Sequence, residues 1–470
     1  MDLTPLRMTP EQMRRLGLQA VDAVVEHLTT MPTRAVGRPP DPAELARRFD
    51  PALPARGSDP AELLARTIDD LMATIVHTDH PRFLAYVPGP SNYVSALADF
   101  LAAGLNVFAG QGLVAAGPAV IERITVDWLR GLCGLPAGGG LFVSGGTMAN
   151  LVALHAARVE LGPDLAVYLT DHTHRSIRKG LRFLGIDDTR VRTVVLDSAF
   201  RMDARELGRT LSADRRNGTR AQCVIATAGT TGTGAVDPLG DIADACATAA
   251  AWLHVDGAYG AAAVLSERQQ PLLAGLARAD SIALDPHKWW FQPYEIGCVL
   301  VRDPALLTNA FSMEAEYLRE TRSESVPINF YDLGPQLTRS FRALKVWMSV
   351  HAFGIDAFRR AVEHGIELAE HAQRVVETSP DWELVTPAQL AVLTFRPRLP
   401  DRSGEEIAGL TRRVASATLR DGYALVTTTE VGTQPVLRLC ITHPQTTVGD
   451  VETTLERLGH LVADLRSTDS

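Results

Sequence analysis

The chain has 470 residues, 46% of them apolar and 21% charged, with 46 Lys and Arg against 55 Asp and Glu. At roughly 150 residues per domain this length predicts two or three domains, with cores large enough to need no covalent staples. Disorder, collagen-like repeats and a small disulfide scaffold are excluded, and a net charge of −9 leaves no basic field for a nucleic-acid backbone.

The N-terminus lacks the basic-then-apolar layout of a secretion signal. Thr9-Pro10-Glu11-Gln12 reads instead as a capping box with proline at the first helical position. Apolar residues at Met13, Leu16, Ala20, Val24 and Leu28 continue a helical period. A proline-rich connector follows, with a helix start at Asp41-Pro42-Ala43-Glu44 and an amphipathic helix from Pro60 to Val76. Residues 1–85 thus form a helical arm. The longest uncharged run, Phe100 to Ile121, is broken by Asn106, Gln111, several glycines and Pro118, so it predicts a buried segment and no membrane span.

From 86 to 345 the pattern becomes strand–helix alternation. Strands are expected at Ala166–Thr170, Val191–Leu196, Cys223–Ala228, Trp252–Asp256, Ser281–Leu284 and Gly297–Arg302, and helices at Ser176–Leu184 and Leu239–Ala250. Strands apolar on both faces predict a parallel sheet covered on both sides. Residues 346–470 read as a smaller α+β domain. Helices at 356–378 and 405–420 flank strands at Glu383–Val385, Ala391–Phe395 and Val436–Ile441.

Two compositional facts bear on chemistry. The five cysteines are odd in number, widely spaced and without C-x-x-C, which points to reduced thiols in a cytoplasmic setting. Only three of the 46 basic residues are lysines: Lys179, Lys288 and Lys345. Arginine cannot act as an amine nucleophile and lysine can, so each lysine is a candidate.

Four segments carry the chemistry. Ser144-Gly145-Gly146-Thr147 follows an apolar run and opens a helix, where bare backbone amides favour an anion. His254-Val255-Asp256 ends a strand with a carboxylate that needs a partner. Asp285-Pro286-His287-Lys288-Trp289-Trp290 ends another strand with a lysine beside aromatics, where low dielectric is expected to lower its pKa. Thr170-Asp171-His172-Thr173-His174 places two histidines just past a third strand. Strand ends of one open sheet share one edge, where ligands bind. A phosphate seat, an acid, an amine and a flat ring together suit pyridoxal 5′-phosphate (PLP). A metallo-hydrolase is the remote alternative, with ligands from His172, His174, His254, Asp256, Asp285 and His287; the PLP reading needs no metal.

On these motifs, with His80-Pro81-Arg82-Phe83-Leu84-Ala85-Tyr86, Asp127-Trp128-Leu129 and Phe341-Arg342-Ala343-Leu344-Lys345, the chain resembles the PLP-dependent group II amino-acid decarboxylases, such as aromatic-L-amino-acid decarboxylases. The resemblance implies the aspartate aminotransferase-like α/β fold (fold type I). Its large domain has a mainly parallel seven-stranded sheet, accompanied by a small C-terminal domain and an N-terminal arm. It implies Lys288 as the Schiff-base lysine, Asp256 as partner of the pyridine nitrogen, and His174 stacked on the ring with Ala258 on its other face. Gly146 and Thr147 would hold the phosphate, Thr231 would touch cofactor or substrate, and His287 would sit beside the lysine. Tyr317 would return a proton to the substrate carbon, and a homodimer would complete the site. Two positions depart from the family. Asp285 stands where many animal members have asparagine near the phosphate, which a second anion would disfavour unless it is protonated or turned away. Gly110 stands about where aromatic-specific members place phenylalanine, which would open the substrate pocket beside Tyr86. The expected reaction is decarboxylation of an aromatic or other bulky L-amino acid to the amine. Decarboxylation-coupled oxidative deamination and β-elimination on the same scaffold remain alternatives.

Overall fold

A computed structural model describes residues 6–49, 52–313 and 328–467. Seven strands form one mixed sheet: β1 (Gly139–Val143), β2 (Ala166–Leu169), β3 (Val191–Thr193), β4 (Gln222–Thr227), β5 (Trp252–Asp256), β6 (Ser281–Leu284) and β7 (Gly297–Val301), in the order β1-β7-β6-β5-β4-β2-β3. Four antiparallel strands form a second sheet: β8 (Trp382–Gln389), β9 (Val392–Pro397), β10 (Thr427–Val431) and β11 (Gln434–Cys440), in the order β10-β11-β9-β8.

Burial on both faces of the first sheet follows from strand parity. Along β4, Val224 and Ala226 pack with Leu239 and Ile242 on one side, whereas Cys223 and Ile225 pack with Leu154, Ile177 and Leu181 on the other. Side chains alternate across a strand, so both faces need cover. The helices Gly146–Leu161 and Arg175–Phe183 supply it on one side and Leu239–Ala249 on the other. The same parity sends Leu253 and Val255 of β5 toward the Leu239 side. Trp252, His254 and Asp256 therefore face the helix Gly146–Leu161.

The parallel expectation needs one correction. β7 runs antiparallel to both β6 and β1. A parallel crossover needs a covering helix, and residues 285–296 between β6 and β7 contain none. The uncharged run at 100–121 lies across the end of one helix, Tyr93–Gly104, a connecting segment and the start of another, Ala116–Leu132. No helix among the described residues is long and apolar enough to cross a membrane.

In the C-terminal region, helices Ile355–Thr378, Gly404–Asp421 and Val448–Ser467 surround the second sheet and close a separate core around Phe395, Leu439 and Trp382. Strand β10 escapes the sequence pattern: Thr-Thr-Thr-Glu-Val is polar, and as an edge strand it pairs only with β11. Both capping motifs of the arm form as read, on helices Pro10–Thr30 and Pro42–Arg48. No residue of Pro10–Thr30 is buried.

Candidate active site

The carboxyl ends of the parallel strands open on a cavity of about 530 Å³, within the range that holds a cofactor or small ligand. Tyr86, Gly146, Thr147, His174, Thr231, Asp256, Ala258, Asp285, His287 and Lys288 all line it.

The phosphate seat is built by close approach. The helix Gly146–Leu161 begins on Gly145 with no side-chain cap, so its first amides are free for an anion. A Cβ on Gly146 would lie 2.7 Å from Asp285 Oδ2 and 3.0 Å from the Ala258 Cβ, and one on Gly297 would lie 2.5 Å from the Gly145 backbone. Only glycine lets strand β7, this helix start and Asp285 converge here.

Lys288 Nζ lies 2.9 Å from Asp285 Oδ2, and Asp285 is 3% exposed. The anion is therefore turned onto the lysine, with His287 Nε2 3.6 Å from the same oxygen. Its Oδ1, packed against Gly297, has no partner. The aromatic neighbourhood led us to expect a lowered lysine pKa. Burial does oppose the charge, but Asp285 and Asp256 outweigh it and hold the amine above its ordinary value. An opposite charge at hydrogen-bond distance wins over desolvation here.

Asp256, at the end of β5, accepts from the Ala258 amide at 3.1 Å and from Asn150 Nδ2 at 3.1 Å. His174 caps the helix Arg175–Phe183: its Nδ1 accepts the Ser176 N–H at 3.3 Å and meets Ser176 Oγ at 2.7 Å. That leaves Nε2–H as its donor. His287 accepts the Ile296 N–H at 3.2 Å, and its ring lies 4.9 Å from that of Tyr294. Tyr86, 63% exposed, stands at the rim with its carbonyl bonded by Arg438.

Two expected site residues are not brought in. Tyr317 lies outside the described residues. Gly110 does not line the cavity: a Cβ there would sit 2.6 Å from the Leu337 carbonyl and 2.9 Å from the Phe108 ring. Within the single chain it is a packing glycine. Among the described residues, no three of the candidate metal ligands bring ligand atoms within reach of one another. His172 stacks on Phe200 with ring centroids 5.8 Å apart, and His254 is fully buried on β5.

Sequence reasoning gave no role to Asn150, and to His254 only that of a candidate metal ligand. His254 Nε2 lies 2.8 Å from Asn150 Oδ1, and its Nδ1 lies 2.9 Å from Ser281 Oγ. The signal was available: Asn150 is one helical turn past Gly146, and His254 shares a strand face with Asp256. Burial pushes the His254 pKa from 6.5 down to about 4. Protonation is thus harder in the fold than in the unfolded chain, so the histidine supports folding above about pH 6.5 and that support fades as the pH falls toward 4. We expect it to account for about 2–3 kcal/mol of the stability lost between about pH 7 and 4.5. Urea unfolding of wild type and His254→Gln at both pH values checks this: the acid-induced loss should shrink by that amount in the variant.

Residues 42–398 match the family model described as the pyridoxal-dependent decarboxylase conserved domain. The chain belongs to this family. An aromatic-L-amino-acid decarboxylase from Bacillus atrophaeus is 43% identical over 454 residues, which cover 95% of this chain and 94% of that one. A phenylacetaldehyde synthase from Petunia hybrida is 30% identical over 408 residues, covering 83% and 80%. In three dimensions the chain is similar to a crystal structure of Oryza sativa TDC with PLP and tryptamine, with a TM-score of 0.92, 26% identity, and coverage of 98% and 99%. The fold implied by the resemblance is the fold adopted, and the decarboxylase is a PLP-dependent carboxy-lyase. Its cavity suits that cofactor: an uncapped helix start in a glycine cradle for the phosphate, a lysine for the aldehyde and a buried carboxylate for the ring nitrogen.

Proposed function

We propose that this decarboxylase converts an aromatic L-amino acid to the corresponding amine and CO₂. The observation that carries the reading is the convergence of Lys288, Asp256 and the open start of helix Gly146–Leu161 on one cavity. The 43% identity to an aromatic-L-amino-acid decarboxylase supports the substrate class. Bound there, PLP supplies an electron sink for the pair left behind by departing CO₂.

The residues divide the work as follows. The Lys288 amine would hold the cofactor's aldehyde. Asp285 takes the proton-bearing, cationic form of that amine as its ion-pair partner. Asp256 would hold positive charge at the ring nitrogen. The amides at Gly146 and Thr147 would receive the phosphate, aided by the positive end of the helix dipole. His174 would stack on the ring with Ala258 on its other face, and Thr231 and His287 would line the remaining walls. Tyr86 borders the substrate's entry, and Tyr317 returns a proton to the α-carbon.

The assembly proposed is a homodimer. The arm helix Pro10–Thr30 leaves Met13 and Val24, on one side of the helix, exposed by 56% and 41%, apolar surface that a second copy of this chain would cover. The division into arm (1–85), large domain (86–345) and small domain (346–470) belongs to the same reading, supported by the two separate sheets and their separate cores. Five buried thiols without a disulfide favour a cytoplasmic setting.

Identity to a phenylacetaldehyde synthase keeps oxidative deamination as the second reading. A panel of L-amino acids, scored together for CO₂, amine, aldehyde, ammonia and oxygen consumption, separates the two. One amine per CO₂ from aromatic substrates, with no oxygen used, is the expected result. Aldehyde and ammonia formed with oxygen uptake would move the chain to the second reading. In Tyr317→Phe, CO₂ release should persist while amine yield falls in favour of aldehyde.

A further inference from the structure

Beneath Asp256 lies a line of buried polar groups joined by hydrogen bonds. The Trp252 indole can only donate, and its Nε1 lies 3.0 Å from Ser281 Oγ. Asn150 Oδ1 can only accept and lies 2.8 Å from His254 Nε2. His254 is uncharged, since burial depresses its pKa to about 4. Its one N–H on Nε2 serves Asn150, and Nδ1 is left to face Ser281 Oγ at 2.9 Å. With its carbonyl engaged, Asn150 turns its amino group to Asp256 Oδ2, 3.1 Å away, while the Ala258 amide serves Oδ1. The five side chains are between 0% and 6% exposed, so water does not compete for these bonds. Parity places Trp252, His254 and Asp256 on one face of β5, and register sets His254 beside Ser281.

We propose that Asn150 and His254 are positioning residues that aim the Asp256 carboxylate into the cavity, by fixing the amino side of the Asn150 amide against it. The inference rests on the reading of Asp256 as partner of the cofactor's ring nitrogen. Were Asn150 reversed, its carbonyl would face the carboxylate and repel it from this position. The Asn150 and Ala258 donors hold one carboxylate oxygen each.

The test compares apoprotein binding of PLP with binding of its carbocyclic analogue, in which a C–H replaces the ring nitrogen. Equilibrium titrations at neutral pH give the affinity ratio of PLP over the analogue. Asn150→Leu should cut that ratio about tenfold, the worth of one lost hydrogen bond to a charged group. His254→Leu should lower it in the same direction, and His254→Gln, which restores an N–H donor to Asn150, should return it toward wild type. A general packing defect weakens both compounds alike and leaves the ratio in place. An unchanged ratio in Asn150→Leu overturns the proposal. Should that chain fail to fold, the same result in His254→Leu does so. If wild type shows no preference for PLP over the analogue, the assignment of Asp256 to the ring nitrogen falls instead.

Discussion

Lys288→Ala is expected to lower CO₂ release by about a thousandfold or more. The cavity holds no other amine. Lys345 is 3% exposed and committed to Asp99 at 2.7 Å and the Pro293 carbonyl at 3.1 Å, and Lys179 lies on the exposed side of helix Arg175–Phe183. The scarcity of lysine in a chain with 43 arginines thus resolves into one residue facing the cavity, one in an internal ion pair and one on the surface. The variant leaves Asp285 buried without its cation, so a modest loss of stability should accompany the catalytic defect. Borohydride reduction of the PLP-loaded protein, followed by peptide mass analysis, should find the adduct on Lys288 in wild type and none in the variant. Activity within tenfold of wild type would remove Lys288 from the reaction.

Arg339→Met should destabilise the fold by about 3–5 kcal/mol, the cost of stranding a buried charge. Arg339 and Glu122 have side chains only 1% exposed and are joined at 2.6 and 3.2 Å. The arginine also donates to the carbonyls of Ala109 at 3.0 Å and Phe142 at 2.7 Å, and Glu122 accepts the Phe142 amide at 3.0 Å. Loss of the guanidinium therefore leaves the Glu122 carboxylate without its cation and two carbonyls without this donor beside β1. Glu122→Leu combined with Arg339→Met should recover part of the loss, because no charge is then stranded. Urea unfolding of the two variants measures both effects. A single-variant cost under about 1 kcal/mol would show that the pair carries little of the fold.

Much of the site was legible because its chemistry sits at strand ends, and strand ends show in a sequence as apolar runs stopping on a polar residue. Asp256 and Lys288 follow that pattern, and both meet at the cavity. What depended on remote pairing was hidden. Glu122 and Arg339 are 217 residues apart, and neither segment contains a motif. The basicity of Lys288 was misjudged because its sequence neighbours are aromatic, whereas the carboxylates that decide its charge come from one turn earlier and from β5. Gly110 looked like an opening because a missing side chain suggests space; within the single chain the Leu337 carbonyl and Phe108 fill it. The reversal of β7 was invisible to composition, since a fully buried antiparallel strand is as apolar as a parallel one.

That reversal has a consequence for how the enzyme handles its substrate. In a strand–helix unit the loop beyond a strand end is tethered to the sheet on one side only. The link bearing Lys288 runs between two neighbouring strands and is pinned at both, through the pairing of Leu284 with Cys298 and the close seating of Gly297 against Gly145. Lys288 thus sits on a link anchored to the sheet at both ends. Engineering for new substrates is therefore best aimed at Tyr86 and its surroundings, with residues 285–296 left untouched.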